Sequence, residues 1–124
     1  MKYVAVLALA VCGLFSFGAR ALSAEKIDYK KLTELLAGPG APCLVDVRTQ
    51  EEYASGHIPG AMLIPVDQVK ELAGVQLPDK ERAVVVYCRS GIRSANAASE
   101  LKKLGYRKIY DFGAVGKWQG DLAR

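Results

Sequence analysis

Histidine is nearly absent from this 124-residue sequence: His57 stands alone, beside three cysteines, one tryptophan and two methionines. One histidine and cysteines without ligand spacing exclude a zinc centre of the usual kind, so neither metal nor cofactor is expected. Three cysteines are too few, and an odd number, for a disulfide scaffold. No repeat, linker or low-complexity stretch interrupts residues 25–124, which leaves room for one domain. Charged residues make up 24% and hydrophobic residues 51%, as in an ordinary globular chain.

Charge is missing in one more place. The stretch from Tyr3 to Ala19 carries none, follows the lone basic Lys2, and ends among small residues at Ala19-Arg20-Ala21 and Leu22-Ser23-Ala24. A basic start, an apolar run and a small-residue exit make a secretory leader. The expectation is residues 1–24 as a cleaved signal peptide and 25–124 as the folded, periplasmic domain. A retained anchor is the alternative, since a span needs about 20 apolar residues. Lipid modification at Cys12 is another, although bulky Val11 precedes it.

Removing 24 residues leaves 124 − 24 = 100, and deletes Lys2 and Arg20 but no acid. The formal charge falls from 17 − 13 = +4 to 15 − 13 = +2. The remaining basic residues are interleaved with acids rather than gathered on one face, so no nucleic-acid partner is expected. No stable membrane association after cleavage is expected either, and the domain reads as a monomer.

Within 25–124, short β-branched runs alternate with helical stretches. Asp28 is placed to cap a first helix, with Ile27 stapling onto Leu32, a stripe of Leu32, Leu35 and Leu36, and a stop at Gly38-Pro39. Cys43-Leu44-Val45-Asp46-Val47 is a buried strand. Thr49 and Glu52 have capping-box spacing and open a brief helix ending at Gly56. A strand over 61–64, a helix over 67–73 ending at Gly74, and the strand Ala83-Val84-Val85-Val86-Tyr87 follow. A helix over 91–104 is expected to present Ala95, Ala98, Leu101 and Leu104 on one face, before a last strand over 108–112. Strands apolar on both faces, alternating with helices, predict an α/β fold: a three-layer parallel sheet of about five strands with helices on both faces. Ligands in such sheets sit outside the carboxyl ends of the strands. The richest strand exits are Asp46-Val47-Arg48 and Tyr87-Cys88-Arg89.

Cys88 directly follows the strongest strand and precedes the turn Arg89-Ser90-Gly91-Ile92-Arg93, which opens the longest helix. Such a turn aims successive N–H groups inward and forms an anion-binding hollow. A thiol at the positive end of a helix, near two arginines, is expected to ionise below its ordinary value of about 8.5. The thiolate is the nucleophile, so Cys88 is the candidate catalytic residue.

The string CRSGIR after VVVY, with LVDVR and EEYASGHIPGA upstream, resembles a rhodanese-type sulfurtransferase domain over most of residues 27–118. With a leader and a single domain, the chain is similar to the small periplasmic rhodaneses of the phage-shock E type. The resemblance implies a persulfide relay: Cys88 takes the outer sulfur of thiosulfate, and cyanide or a thiol removes it. Arg89, Ser90, Gly91, Ile92, Arg93 and Ser94 then cradle the sulfur. Cysteine phosphatases of the cell-cycle type share the fold but resemble C-x5-R, as does an arsenate-reducing relative; Cys88 and Arg93 are spaced C-x4-R, a loop sized for one sulfur. The two-domain thiosulfate enzymes resemble a loop with Lys at its third position, where this chain has Ser90. A non-catalytic persulfide- or anion-binding module is the other class of function.

Asp46 is the expected partner of Arg93, and Arg48 of Glu51 or Glu52, so that Asp46 and Arg48 support the loop. Arg89 is expected to face the mouth and attract an anionic donor. His57 and Trp118 read as structural residues, and Cys43 as a buried, inert thiol about 10 Å back from the strand exit, too far to bridge Cys88.

Overall fold

A computed structural model describes residues 24–124; the leader and the alternatives read in residues 1–23 lie outside the described residues. Five parallel strands form one sheet in the order β1-β5-β4-β2-β3. In chain order they are β1 (Glu25–Lys26), β2 (Cys43–Asp46), β3 (Met62–Leu63), β4 (Val84–Cys88) and β5 (Ile109–Ala114). The helices are α1 (Tyr29–Ala37), α2 (Gln50–Ser55), α3 (Val69–Gln76) and α4 (Ile92–Lys103). The α/β three-layer fold read from the sequence is the fold observed.

The layers follow from strand alternation. Along β4, Val84, Val86 and Cys88 enter the apolar cluster shared with Val69, Ala73, Ala97, Ala98 and Leu101 of α3 and α4. Val85 and Tyr87 point the other way, into a cluster with Leu32 of α1, Ile58 and Phe112. Every side chain of β4 is buried, as a central parallel strand requires.

Several local signals act as the sequence suggests. The Asp28 carboxylate accepts the Lys31 N–H at 2.9 Å and caps α1, with Ile27 and Leu32 buried in one cluster. Thr49 and Glu52 form a complete capping box at the start of α2.

Other boundaries shift for packing reasons. Strand β1 had no sequence signal; it is a two-residue, exposed edge that pairs with Tyr110 and Asp111 of β5. Strand β3 is shorter than 61–64 because the Ala61 N–H turns back to the Ile58 carbonyl. Helix α3 does not end at Gly74: a 3-10 turn over Val66–Gln68 leads into it, and it runs on to Gln76. Val69, Ala73 and the following Leu77 are all buried; burying a leucine is worth about 1.5–3 kcal/mol, against about 1 kcal/mol for an interior glycine. The buried stripe of α4 is Ser94, Ala97, Ala98 and Leu101, with Ala95 exposed and Leu104 half-buried. The stripe starts at Ser94 because that residue sits directly over the sulfur of Cys88.

Candidate active site

Cys88 closes β4 with its side chain buried (0% exposed), at the carboxyl edge of the sheet. The turn that follows brings two amide donors to its sulfur: Gly91 N–H at 3.0 Å and Ser94 N–H at 3.3 Å. Gly91 holds φ +104°, a backbone angle that side-chain-bearing residues rarely adopt, and thereby aims its N–H inward. Burial is the largest single influence on the thiol and pushes its pKa up. The Ser94 N–H and hydroxyl, with the Gly91 and Ser90 N–H groups, outweigh it, and the thiol lies below its ordinary value. The chief lowering cause is hydrogen bonding to the anion. The Ser94 hydroxyl also reaches the Gly91 carbonyl at 3.1 Å, so its single proton serves either the loop or the sulfur.

The arginines differ sharply. Arg93 does not pair with Asp46. It makes a two-pronged contact with Glu52, Nη1 to Oε1 at 2.8 Å and Nη2 to Oε2 at 3.1 Å. Glu52 also accepts the Thr49 N–H at 3.0 Å, and these partners, Arg93 first, hold its carboxyl down to about 2. Arg89 and Ser90 are exposed on the loop, and Ile92 is 71% exposed.

Asp46 and Arg48 belong to a different network. Arg48 donates to Asp46 from its backbone N–H at 2.9 Å, from Nε at 3.0 and 3.1 Å and from Nη2 at 2.7 Å, so Arg48 pairs with neither Glu51 nor Glu52. The Tyr87 hydroxyl donates to Asp46 at 2.9 Å and accepts the Ile58 N–H at 3.0 Å; Arg48 Nη2 also donates to the Gly56 carbonyl at 2.7 Å. Burial pushes the Tyr87 phenol up, which keeps it a donor. Strand parity explains these pairings. Asp46 shares the face of Leu44 and meets Tyr87 there, whereas Cys88 faces the α3/α4 layer. Asp46 and Arg48 thus connect to the loop through Tyr87, the residue before Cys88.

Sequence reasoning missed Glu52 and Tyr87 as loop supports. The capping box located Glu52 correctly, yet nothing in that local pattern reveals a second partner 41 positions away.

His57 stacks on Tyr53 with ring centroids 3.7 Å apart, and its backbone pairs with Ala123. Trp118 packs edge-on against Tyr29 at 5.3 Å. Both are packing residues in the described structure. Cys43 is half-buried rather than buried; it pairs across the sheet with Val84, at the opposite end of β4 from Cys88, and both thiols are free. Among the described residues no group of three or more His, Cys, Asp and Glu is placed to hold a metal.

A parallel five-stranded sheet whose central strand ends in a thiol held by two loop amides, in a C-x4-R loop, is the arrangement expected of a rhodanese-type domain. The chain belongs to the rhodanese-like domain family, which it matches over residues 28–121. It is 38% identical over 71 residues to the thiosulfate sulfurtransferase PspE of Escherichia coli, covering 57% of this chain and 68% of that one. It is 37% identical over 95 residues to a sulfurtransferase of Allochromatium vinosum, covering 76% and 87%. By contrast, it spans only 27% of the adenylyltransferase and sulfurtransferase uba4 of Ogataea parapolymorpha, at 36% identity over 105 residues, 78% of this chain. Among solved structures, a rhodanese with anions from Escherichia coli superposes with a TM-score of 0.64 at 33% identity, covering 68% of this chain and 99% of that one.

Proposed function

We propose that this protein is a sulfurtransferase that carries sulfane sulfur on Cys88, taking it from thiosulfate or a related donor and passing it to cyanide or a thiol. The observation that carries the reading is the pair of loop amides on the Cys88 sulfur, at 3.0 and 3.3 Å. In the first step the Cys88 thiolate attacks the outer sulfur of thiosulfate. The S–S bond of the donor breaks, its electron pair leaves with sulfite, and Cys88 holds the sulfur as Cys–S–S⁻. In the second, the acceptor attacks that outer sulfur and the Cys88–sulfur pair returns to Cys88 as thiolate. The amides are fixed donors that need no rearrangement as negative charge moves along the two sulfurs. Arg89, exposed on the loop, attracts the dianionic donor.

Intact mass after incubation with thiosulfate tests this. A gain of about 32 Da, absent in Cys88→Ala, supports the persulfide; its absence with every sulfane donor tried rejects sulfur transfer. A protein that loads but is not discharged by any acceptor is a persulfide-binding module instead, a reading favoured by the complete burial of Cys88. Phosphate release from an aryl phosphate without the mass gain points to phosphatase chemistry. We infer further that the domain works as a monomer in the periplasm after loss of residues 1–24, which cell fractionation, sedimentation and the N-terminal sequence of the mature protein check.

A further inference from the structure

Beside the loop, a groove of about 280 Å³ is lined by Val47, Arg48, Thr49, Pro65, Val66, Asp67 and Arg93. It lies at the carboxyl edge of the sheet, across the exits of β2 and β3. The Cys88 loop contributes Arg93 to its wall, and the next residue, Ser94, donates its N–H to Sγ; Val47 and Val66 belong to the apolar layer that includes Cys88.

Its charges are unequal. Both arginines are already neutralised, Arg48 by Asp46 at 2.7 Å and Arg93 by Glu52 at 2.8 Å. Asp67 is exposed at the rim and has no salt-bridge partner among the described residues. The groove thus offers an apolar floor of Val47, Pro65 and Val66 with one uncompensated carboxylate. An exposed cation, Arg89, stands on the loop itself. A donor anion and an acceptor cation have separate places, so neither competes with the other for one charge.

From this we propose that the groove beside the loop receives the sulfur acceptor, and that the acceptor is a short aliphatic thiol bearing an ammonium group, held by Asp67. The proposal rests on sulfur transfer through Cys88 and specifies its second half. The acceptor thiolate attacks the outer sulfur of Cys88–S–S⁻, the bond to Cys88 Sγ breaks, its electron pair stays on Cys88, and the acceptor leaves as R–S–S⁻. A flexible thiol suits a sulfur held beneath the surface, because a rigid partner cannot follow it in.

The test uses the protein as isolated from its host and its Asp67→Asn and Asp67→Lys variants. Cys88 is first modified with three thiosulfonate reagents of matched length, ending in ammonium, methyl or sulfonate, with the labelled cysteine identified by peptide mass. The expected result is a rate ratio of ammonium to methyl reagent that falls roughly two- to fivefold in Asp67→Asn, the size of one exposed ion pair. It falls further in Asp67→Lys, and the difference among the proteins vanishes in 1 M salt. The thiosulfate-loaded protein is then discharged with 2-aminoethanethiol, ethanethiol or 2-mercaptoethanesulfonate, and the same ordering is expected for rates per thiolate. Ratios that neither substitution moves overturn the proposal, as does a preference of the unaltered protein for the sulfonate probes. Failure to load sulfur at all instead rejects sulfur transfer, while the thiosulfonate ratios still decide whether Asp67 selects a cationic thiol.

Discussion

Arg93 and Glu52 meet in a two-pronged ion pair, 2.8 Å at its shorter contact, that ties the end of the Cys88 loop to the first turn of α2. Glu52 is also the capping-box acid of that helix. One carboxylate therefore fixes a helix start and a loop end, so α2 and the loop cannot move independently while it is ionised.

The pH dependence follows from its depressed carboxyl. With a folded value of about 2 against an ordinary 4.5, the stabilisation is fully present above about 4.5 and is lost as pH falls toward 2. Glu52→Gln keeps the capping geometry but not the charge, and should cost about 0.5–1 kcal/mol at neutral pH, as partly exposed pairs do. Urea unfolding should show that cost shrinking from pH 4.5 to pH 2.5; a cost constant across that window would mean that the charge of Glu52 contributes nothing.

Reactivity of Cys88 should report its hydrogen bonds. Alkylation by iodoacetamide should rise with pH about a midpoint below that of an ordinary thiol. Ser94→Ala removes the hydroxyl but not the amide, so the midpoint should move up and the rate at pH 7 should drop roughly two- to tenfold, the value of one hydrogen bond. An unchanged profile would assign the hydroxyl wholly to the Gly91 carbonyl.

Gly91→Ala tests the turn itself. An added Cβ meets only ordinary contact, 3.8 Å from Gly113 Cα, so the penalty comes from the backbone angle of +104°. About 1–2 kcal/mol of stability should be lost, together with thiol reactivity, as the amide rotates away from the sulfur. Thermal unfolding and alkylation rate measured on the same sample separate the two effects.

Beneath the loop, Asp46→Ala strands the buried Arg48 guanidinium and should cost about 3–5 kcal/mol. Tyr87→Phe removes one donor and one acceptor from that network and should cost about 1–3 kcal/mol, as an unsatisfied buried group does. The loop should loosen with it, because Tyr87 adjoins Cys88. Chemical denaturation of both variants checks the order; equal, small losses would show the network to be dispensable.

Much of this protein is legible in its sequence. The alternation of apolar strands and helices, the capping signals at Asp28 and Thr49, and a thiol between a strand and a glycine turn are local patterns. Neighbouring residues alone determine them, and the structure keeps them all. Partner choice among charges was not local. Asp46 and Glu52 are both acids at plausible distance along the chain from an arginine, and they exchanged the roles expected of them. What decided was tertiary structure. Strand alternation turns Asp46 away from the sulfur's face and toward Tyr87 and Arg48, while packing of α2 delivers Glu52 to Arg93 across 41 residues of chain. The same holds for β1, whose two exposed residues become a strand only because the edge of β5 offers them hydrogen bonds. The sequence alone determined the fold and set Cys88 between a strand and a glycine turn; only the folded chain decided which carboxylate holds that loop, because that depends on which faces meet in space.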